Sequence, residues 1–322
     1  MPNDILRQLP AYRAPFWLRG GHAQSIWPKL IQPPLPAYRR ELLPDSTGET
    51  EVAYDFIDGR EADAPLVMLF HGLEGDSGSH YARALMHAVR QRGWHGVVAH
   101  FRGCGGVPNR ARIYYHSGDS REIGHMLGLM AARYPRIYAA GVSLGGNALA
   151  KYLGEQQDRA LPQAAAVISA PLDLAAASVC LEHGLSKALY APYFLRSLLP
   201  KTAATRRRFP QADHQAVQAA RSLTDFDNAF TAPVHGFADA ATYYRLSSAK
   251  PLLRHIRVPT LILNARNDPF MPPAFLPQAH EVSDSVTLLQ PEHGGHAGFP
   301  QARHLNWLPH TLLRYFELSP PR

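Results

Sequence analysis

The run Ile137-Tyr138-Ala139-Ala140-Gly141-Val142-Ser143-Leu144-Gly145-Gly146-Asn147-Ala148-Leu149-Ala150-Lys151-Tyr152-Leu153 decides the fold. It begins as an apolar β-type segment, passes through Gly-x-Ser-x-Gly, and continues with helical spacing, so it reads as strand, sharp turn, helix. Ser143 falls at the tip of that turn, where a side chain needs strained backbone angles. Gly141 and Gly145 let neighbouring backbone pass close by. A serine presented in this way is a nucleophile. The bare pentapeptide also occurs in ordinary tight turns, but here it has the strand before it and the helix after it that the motif requires.

Working outward, apolar runs alternate with helical patterns, which marks a mostly parallel sheet covered on both faces. Strands are expected at 66–70, 96–101, 165–169, 260–264 and 285–289, with helices near 79–92, 119–133 and 302–316. Asp119 and Glu122 have capping-box spacing. Residues 39–57, turning at Asp45-Ser46-Thr47-Gly48, read as an antiparallel pair that opens the sheet. We therefore expect one α/β domain over residues 1–322, with an amino-terminal arm at 1–38. The arm is rich in proline and aromatics, which favours an ordered wrap over a free tail. Its Gly20-Gly21-His22-Ala23-Gln24-Ser25-Ile26 segment reads as a turn, with His22 either hydrogen-bonded structurally or in contact with substrate.

Between Ala170 and Pro251 the alternation stops. Helical patterns broken by Pro192, Pro200, Pro210 and Pro233 suggest a helical insertion over 175–246 that lies above the site as a lid. Tyr190, Tyr193, Phe194, Leu195, Phe226, Phe230, Phe237, Tyr243 and Tyr244 are candidates to line it, with Tyr193 and Phe237 assigned to substrate binding. Each could instead belong to the lid's own core.

Composition narrows the function. Of 322 residues, 46% are hydrophobic and 18% charged, as in a soluble globular protein, and the longest apolar stretch, 164–179, is interrupted by Pro171 and Asp173. The net charge of +7 comes from scattered basic residues rather than a nucleic-acid-binding motif. Only Arg206-Arg207-Arg208 forms a run, readable as a solvated face or as weak peripheral contact with an anionic membrane surface. Two cysteines, Cys104 and Cys180, provide no disulfide framework, and the first residues lack an apolar signal core. A cytoplasmic location is expected.

A serine hydroxyl needs a general base, and the base needs an acid to fix its tautomer and stabilise the imidazolium. In this topology the order is Ser, acid, His. Asp268, in the loop after the 260–264 strand, is the expected acid, with Asp173 as alternative. The loop after the last strand offers His296 and His293, of which His296 lies nearer the following helix. Glu292, His293 and His296 could alternatively ligate a metal, but no HExxH helix or cysteine pair accompanies them. The chemistry requires no metal or organic cofactor. Backbone N–H groups of Leu144 and Leu73, or Glu74 in place of Leu73, would receive a developing oxyanion.

These motifs come together with Phe101-Arg102-Gly103-Cys104-Gly105-Gly106, Tyr115-His116-Ser117-Gly118, Asp225-Phe226-Asp227, His235-Gly236-Phe237 and Gly294-Gly295-His296-Ala297-Gly298-Phe299. In this order the sequence resembles the YheT-like branch of the α/β-hydrolases, the AB hydrolase 4 family. The resemblance implies the α/β-hydrolase fold and a carboxylic ester hydrolase, some relatives acting on acylglycerols or phospholipids. It maps the triad onto Ser143, Asp268 and His296. Asn267 stands where relatives often carry a second Asp, and Gly20 where Asn is frequent. Eukaryotic relatives tend to carry an amino-terminal membrane anchor, and none is expected here. The function expected is hydrolysis of short- to medium-chain acyl esters through an acyl-enzyme, with an acyltransferase or a lipase or phospholipase on the same triad as alternatives.

Overall fold

Strands whose residues are all apolar can only be satisfied with both faces covered, and Leu66–Phe70 and Ile137–Val142 are buried at every position. A computed structural model describes residues 5–271, 273–320 and 322. It places these two strands, β3 and β5, side by side at the centre of an eight-stranded sheet. The others are β1 (Arg39–Pro44), β2 (Glu51–Ile57), β4 (His95–Ala99), β6 (Ala164–Ile168), β7 (Thr260–Leu263) and β8 (Val286–Leu289). Their order is β1-β2-β4-β3-β5-β6-β7-β8, antiparallel from β1 to β4 and parallel beyond.

Helix α1 is Gly21–Ile26, and α2 (His80–Arg92), α3 (Ser120–Ala131) and α4 (Leu144–Gln156) follow β3, β4 and β5. The insertion carries α5 (Leu174–Leu181), α6 (Gly184–Thr205) and α7 (Ala240–Ser247), and α8 (Trp307–Leu318) closes the chain. One face of the sheet packs α3 and α4 through Ile123, Met126 and Leu149. The other packs α2 and α8 through Leu85, Leu312 and Phe316.

Four local readings are corrected. The arm segment expected to turn forms helix α1 instead, with Gly20 extended before it. Helix α6 runs unbroken through Pro192 and Pro200. Both prolines are exposed, so carbonyls that lose their helical partner can be solvated. The capping box at α3 is half made: Asp119 accepts the Glu122 N–H, but the Glu122 carboxylate turns to Arg102 and the Ser46 N–H. Arg102, fully buried, is shared among Asp45, Asp119 and Glu122, and burial raises the Glu122 carboxyl above its usual range. Finally, α8 starts only at Trp307, because Phe299 and Ala302 adopt positive φ (43° and 49°). Among the described residues no helix is long and apolar enough to cross a membrane.

Candidate active site

Strand β5 ends at Val142, and Ser143 takes φ 54° and ψ −120° before α4 begins. Such a conformation costs roughly 1–3 kcal/mol for a non-glycine residue and persists only where the surroundings impose it. Here its N–H is held by the Ile168 carbonyl at 2.8 Å, and its carbonyl accepts the Asn147 N–H at 3.0 Å. A Cβ on Gly141 would lie 2.5 Å from the Gly145 oxygen, and one on Gly145 2.5 Å from the His71 oxygen, so both positions exclude side chains.

Loops at the carboxyl ends of β7 and β8 bring Asp268 and His296 to the same point. His296 Nε2 lies 3.0 Å from Ser143 Oγ, and His296 Nδ1 lies 3.0 Å from Asp268 Oδ2 and 3.2 Å from Oδ1. The Asp268 carboxylate is buried and also accepts the Phe270 N–H at 2.8 Å. The Phe270 ring stacks on the imidazole with centroids 3.9 Å apart, limiting its rotation. The alternatives fall elsewhere. Asp173 caps α5 by accepting the Ala176 N–H, and His293 leans on Asn267 at 3.4 Å. Glu292 pairs with Arg266, and among the described residues no three His, Cys, Asp or Glu side chains converge as a metal site.

The loop after β3 lies against the nucleophile: a Cβ on Gly72 would sit 3.1 Å from that of Ser143. His71 anchors the loop from inside the core, its Nδ1–H donating to the Gly72 carbonyl and its Nε2 accepting the Phe101 N–H. Burial, with His100 nearby, drives its pKa down to about 3, so it stays neutral. The Glu74 N–H, the fallback oxyanion donor, is instead given to the Tyr115 hydroxyl at 3.0 Å. Leu73 thus faces the site as this loop's donor candidate. Leu144 opens α4, where an N–H has no intrahelical acceptor. Glu74, at φ 55°, takes Tyr115 Oη–H at 2.7 Å and Lys201 Nζ at 2.7 Å, and also Ser197, which ties the loop to helix α6.

Two cavities meet at Ser143. One, about 110 Å³, lies under the insertion and is lined by Leu144, Leu174, Leu181, Leu198, Phe226 and Asp227 among others. The other, about 550 Å³, is lined by the arm (Ser25, Ile26, Lys29, Gln32), the 72–81 segment, Tyr193 and His296. Tyr193 is half exposed, with Lys29 Nζ 3.7 Å above its ring. Phe237 is a correction: it lines neither cavity and packs instead on His116 and Tyr243. Leu195 and Phe230 are also interior to the insertion. His22 bonds the Tyr190 hydroxyl at 3.0 Å, and Arg206–Arg208 form an exposed turn in which Arg208 reaches the Asn109 carbonyl.

Sequence reasoning missed the helix α1 contacts. Gln24 and Ser25 reach loops more than two hundred residues away, and the only signal was that the segment belongs to the motif set. It also missed the π-turn at Asp227–Thr231, which sets a carboxyl in the cavity under the insertion.

This fold and this serine-histidine-aspartate geometry define an α/β-hydrolase, and the family model for the alpha/beta hydrolase fold matches residues 65–302. Within it, the chain belongs to the YheT-like branch. It is 36% identical to YheT of Escherichia coli (strain K12), a candidate esterase, over 92% of this chain and 91% of that one. It is 29% identical to human phospholipase ABHD3 over 89% of this chain and 73% of that one. Among solved structures, ferulic-acid-bound Est1E from Butyrivibrio proteoclasticus superposes with a TM-score of 0.54 at 15% identity, covering 88% of this chain and 99% of that one. The chain is an ester-hydrolysing enzyme by family and fold.

Proposed function

We propose that the chain is a serine carboxylic ester hydrolase using Ser143, His296 and Asp268. The observation that carries this reading is the continuous path from Ser143 Oγ through the imidazole to the buried Asp268, with 3.0 Å at each step. Ser143 Oγ attacks the ester carbonyl carbon as its proton passes to His296 Nε2, and the carbonyl π pair moves to oxygen. The Leu73 and Leu144 N–H groups receive that oxyanion. Collapse breaks the bond to the alcohol oxygen, which takes the proton from Nε2 and leaves an acyl-Ser143. Water repeats the sequence, giving the acid and restoring the serine.

The site also orients the ester. His296 must protonate the departing alcohol, and it lines the larger arm-side cavity but not the one under the insertion. The alcohol therefore leaves on the arm side and the acyl chain lies beneath the insertion, which acts as a lid. Its 110 Å³ is well below the roughly 300–1,000 Å³ of sites for drug-sized ligands, which favours short- to medium-chain acyl groups. The arm-side cavity has room for an alcohol acceptor in place of water, so acyl transfer is the second reading. Two unbonded cysteines accord with a cytoplasmic enzyme.

The test is a p-nitrophenyl ester series. By burial of about 0.8 kcal/mol per CH₂ until the cavity fills, kcat/KM is expected to peak between roughly two and eight carbons and fall at sixteen, with amides untouched. A rate still rising at sixteen carbons points to a lipase. Faster turnover with an added alcohol, yielding a new ester, points to acyl transfer.

A further inference from the structure

The loop that carries His296 is a poor support for a general base. Gly294, Gly295, Ala297 and Phe299 all have positive φ (150°, 63°, 55° and 43°), so it has no regular backbone ladder of its own. Its hydrogen bonds come largely from outside, and two of them come from helix α1. The Ser25 hydroxyl donates to the Gly21 carbonyl at 2.7 Å. With that proton committed, its lone pairs are left to accept the His296 N–H, at 2.8 Å. Gln24 is fully buried: one Nε2–H donates to the Leu18 carbonyl, while Oε1 accepts Gly294 N–H at 2.8 Å and Asn267 Nδ2–H at 2.9 Å.

Asn267 directly precedes Asp268, and its own oxygen accepts the Gly295 N–H at 3.0 Å. The loop of the acid and the loop of the base are thus bonded to the same helix turn and to each other. Contact is backbone to backbone: a Cβ on Gly21 would fall 2.0 Å from the Asn267 oxygen, and one on Gly298 2.1 Å from the Gln24 oxygen. An asparagine at 267 suits this place, because it must both donate to Gln24 and accept from Gly295, which a carboxylate cannot do.

We propose that helix α1 of the amino-terminal arm is part of the catalytic apparatus, with Ser25 the positioning residue that sets the His296 backbone, and so its imidazole, against Ser143. The proposal rests on the Ser143–His296–Asp268 reading above. Ser25 touches no reacting atom. It acts by removing the freedom of the peptide before His296, while the peptide after it is held by the Ser169 hydroxyl, which accepts the Ala297 N–H at 2.9 Å. A displacement of about 1 Å at a reacting group can cost on the order of 100-fold in rate.

The experiment compares the wild type with Ser25→Ala, Ser25→Cys and Ser25→Thr in the full chain. It measures the second-order rate of fluorophosphonate labelling at Ser143, kcat and KM on p-nitrophenyl butyrate, and thermal melting. Ser25→Ala is expected to slow labelling and kcat by about 10- to 100-fold, with KM changed less than about threefold. Ser25→Cys, of similar volume but a weaker acceptor, should fall between, and Ser25→Thr, which keeps the hydroxyl, should recover most of the rate. If Ser25→Ala does not fold, the Cys and Thr pair carries the same comparison. Labelling and kcat within twofold of wild type in the Ala or Cys variant overturn the proposal. So do losses that follow melting temperature alone, equal in Cys and Thr. A wild type that fails to label at Ser143 removes the hydrolase reading itself, and this proposal with it.

Discussion

The two sides of Ser143 are made from different parts of the chain. On the arm side stand the loops at the carboxyl ends of β3 and β8 and helix α1, with His296, Ser25 and the glycines of the 72–78 loop. On the other side stands the insertion, which contributes leucines and aromatics and sets Asp227 in the π-turn of the cavity wall. In the proposed mechanism proton transfer belongs to the first side, where the loops after β7 and β8 that carry Asp268 and His296 are bonded to helix α1 and to each other. On the same reading selection of the acyl group belongs to the second, whose helices are tied to the rest of the domain by bonds such as those of Glu74 with Lys201 and Ser197, Asn147 with Ser247, Ser117 with Tyr243 and His22 with Tyr190, and by packing. Changes on the arm side should therefore appear in kcat, and changes under the insertion in substrate preference or stability.

The largest effect should come from the acid and base. Asp268→Asn and His296→Ala are each expected to lower kcat on the order of 10⁴-fold, the amide by favouring the wrong imidazole tautomer. Asp173→Asn, which alters only a helix cap, and His293→Ala should each cost under about tenfold in steady-state kinetics. A loss at Asp173 equal to that at Asp268 would erase the distinction between the two sides.

An intermediate effect is expected at Leu181→Trp, which puts an indole into the cavity under the insertion. kcat/KM for octanoate esters should fall by about 10- to 100-fold while acetate changes less than about threefold, since methylenes in a filled pocket lose roughly 1–3 kcal/mol. Equal losses for both esters would place the acyl chain elsewhere.

The smallest effect concerns stability. Asp227 accepts Thr231 Oγ1–H at 2.6 Å and Tyr244 Oη–H at 2.8 Å, and burial pushes its pKa up to about 6. In the unfolded chain an aspartate titrates near about 3.9, so between these values the folded state holds more proton and stability falls as pH rises. The melting temperature of Asp227→Asn relative to wild type should therefore climb between about pH 4 and pH 7. A difference that is flat with pH would mean that Asp227 ionises in the folded protein as easily as in the unfolded one.

What could be read from sequence was set by sequence distance. The 137–153 stretch was legible because strand, glycine turn and helix all lie within seventeen residues, and each places a local demand on residue type. Asp268 and His296 were assigned from chain order and strand ends rather than from contact. Helix α1 was not, because six residues beginning at a glycine show no period, and its partners Asn267, Gly294 and His296 lie more than two hundred residues on. Phe237 was misassigned because an aromatic in a helical insertion has the same appearance whether it lines a cavity or fills the space behind one. Pro192 and Pro200 looked like breaks because solvation of the outer face of α6 cannot be seen in a linear pattern.

The central claim is that Ser143 is the nucleophile, and the most direct measurement is labelling with a fluorophosphonate probe followed by peptide mapping. The account requires a single adduct, on the peptide containing Ser143, that disappears in Ser143→Ala together with a loss in kcat on the order of 10⁴- to 10⁶-fold. An adduct on another residue, or a Ser143→Ala variant that still turns over esters at the wild-type rate, would contradict it.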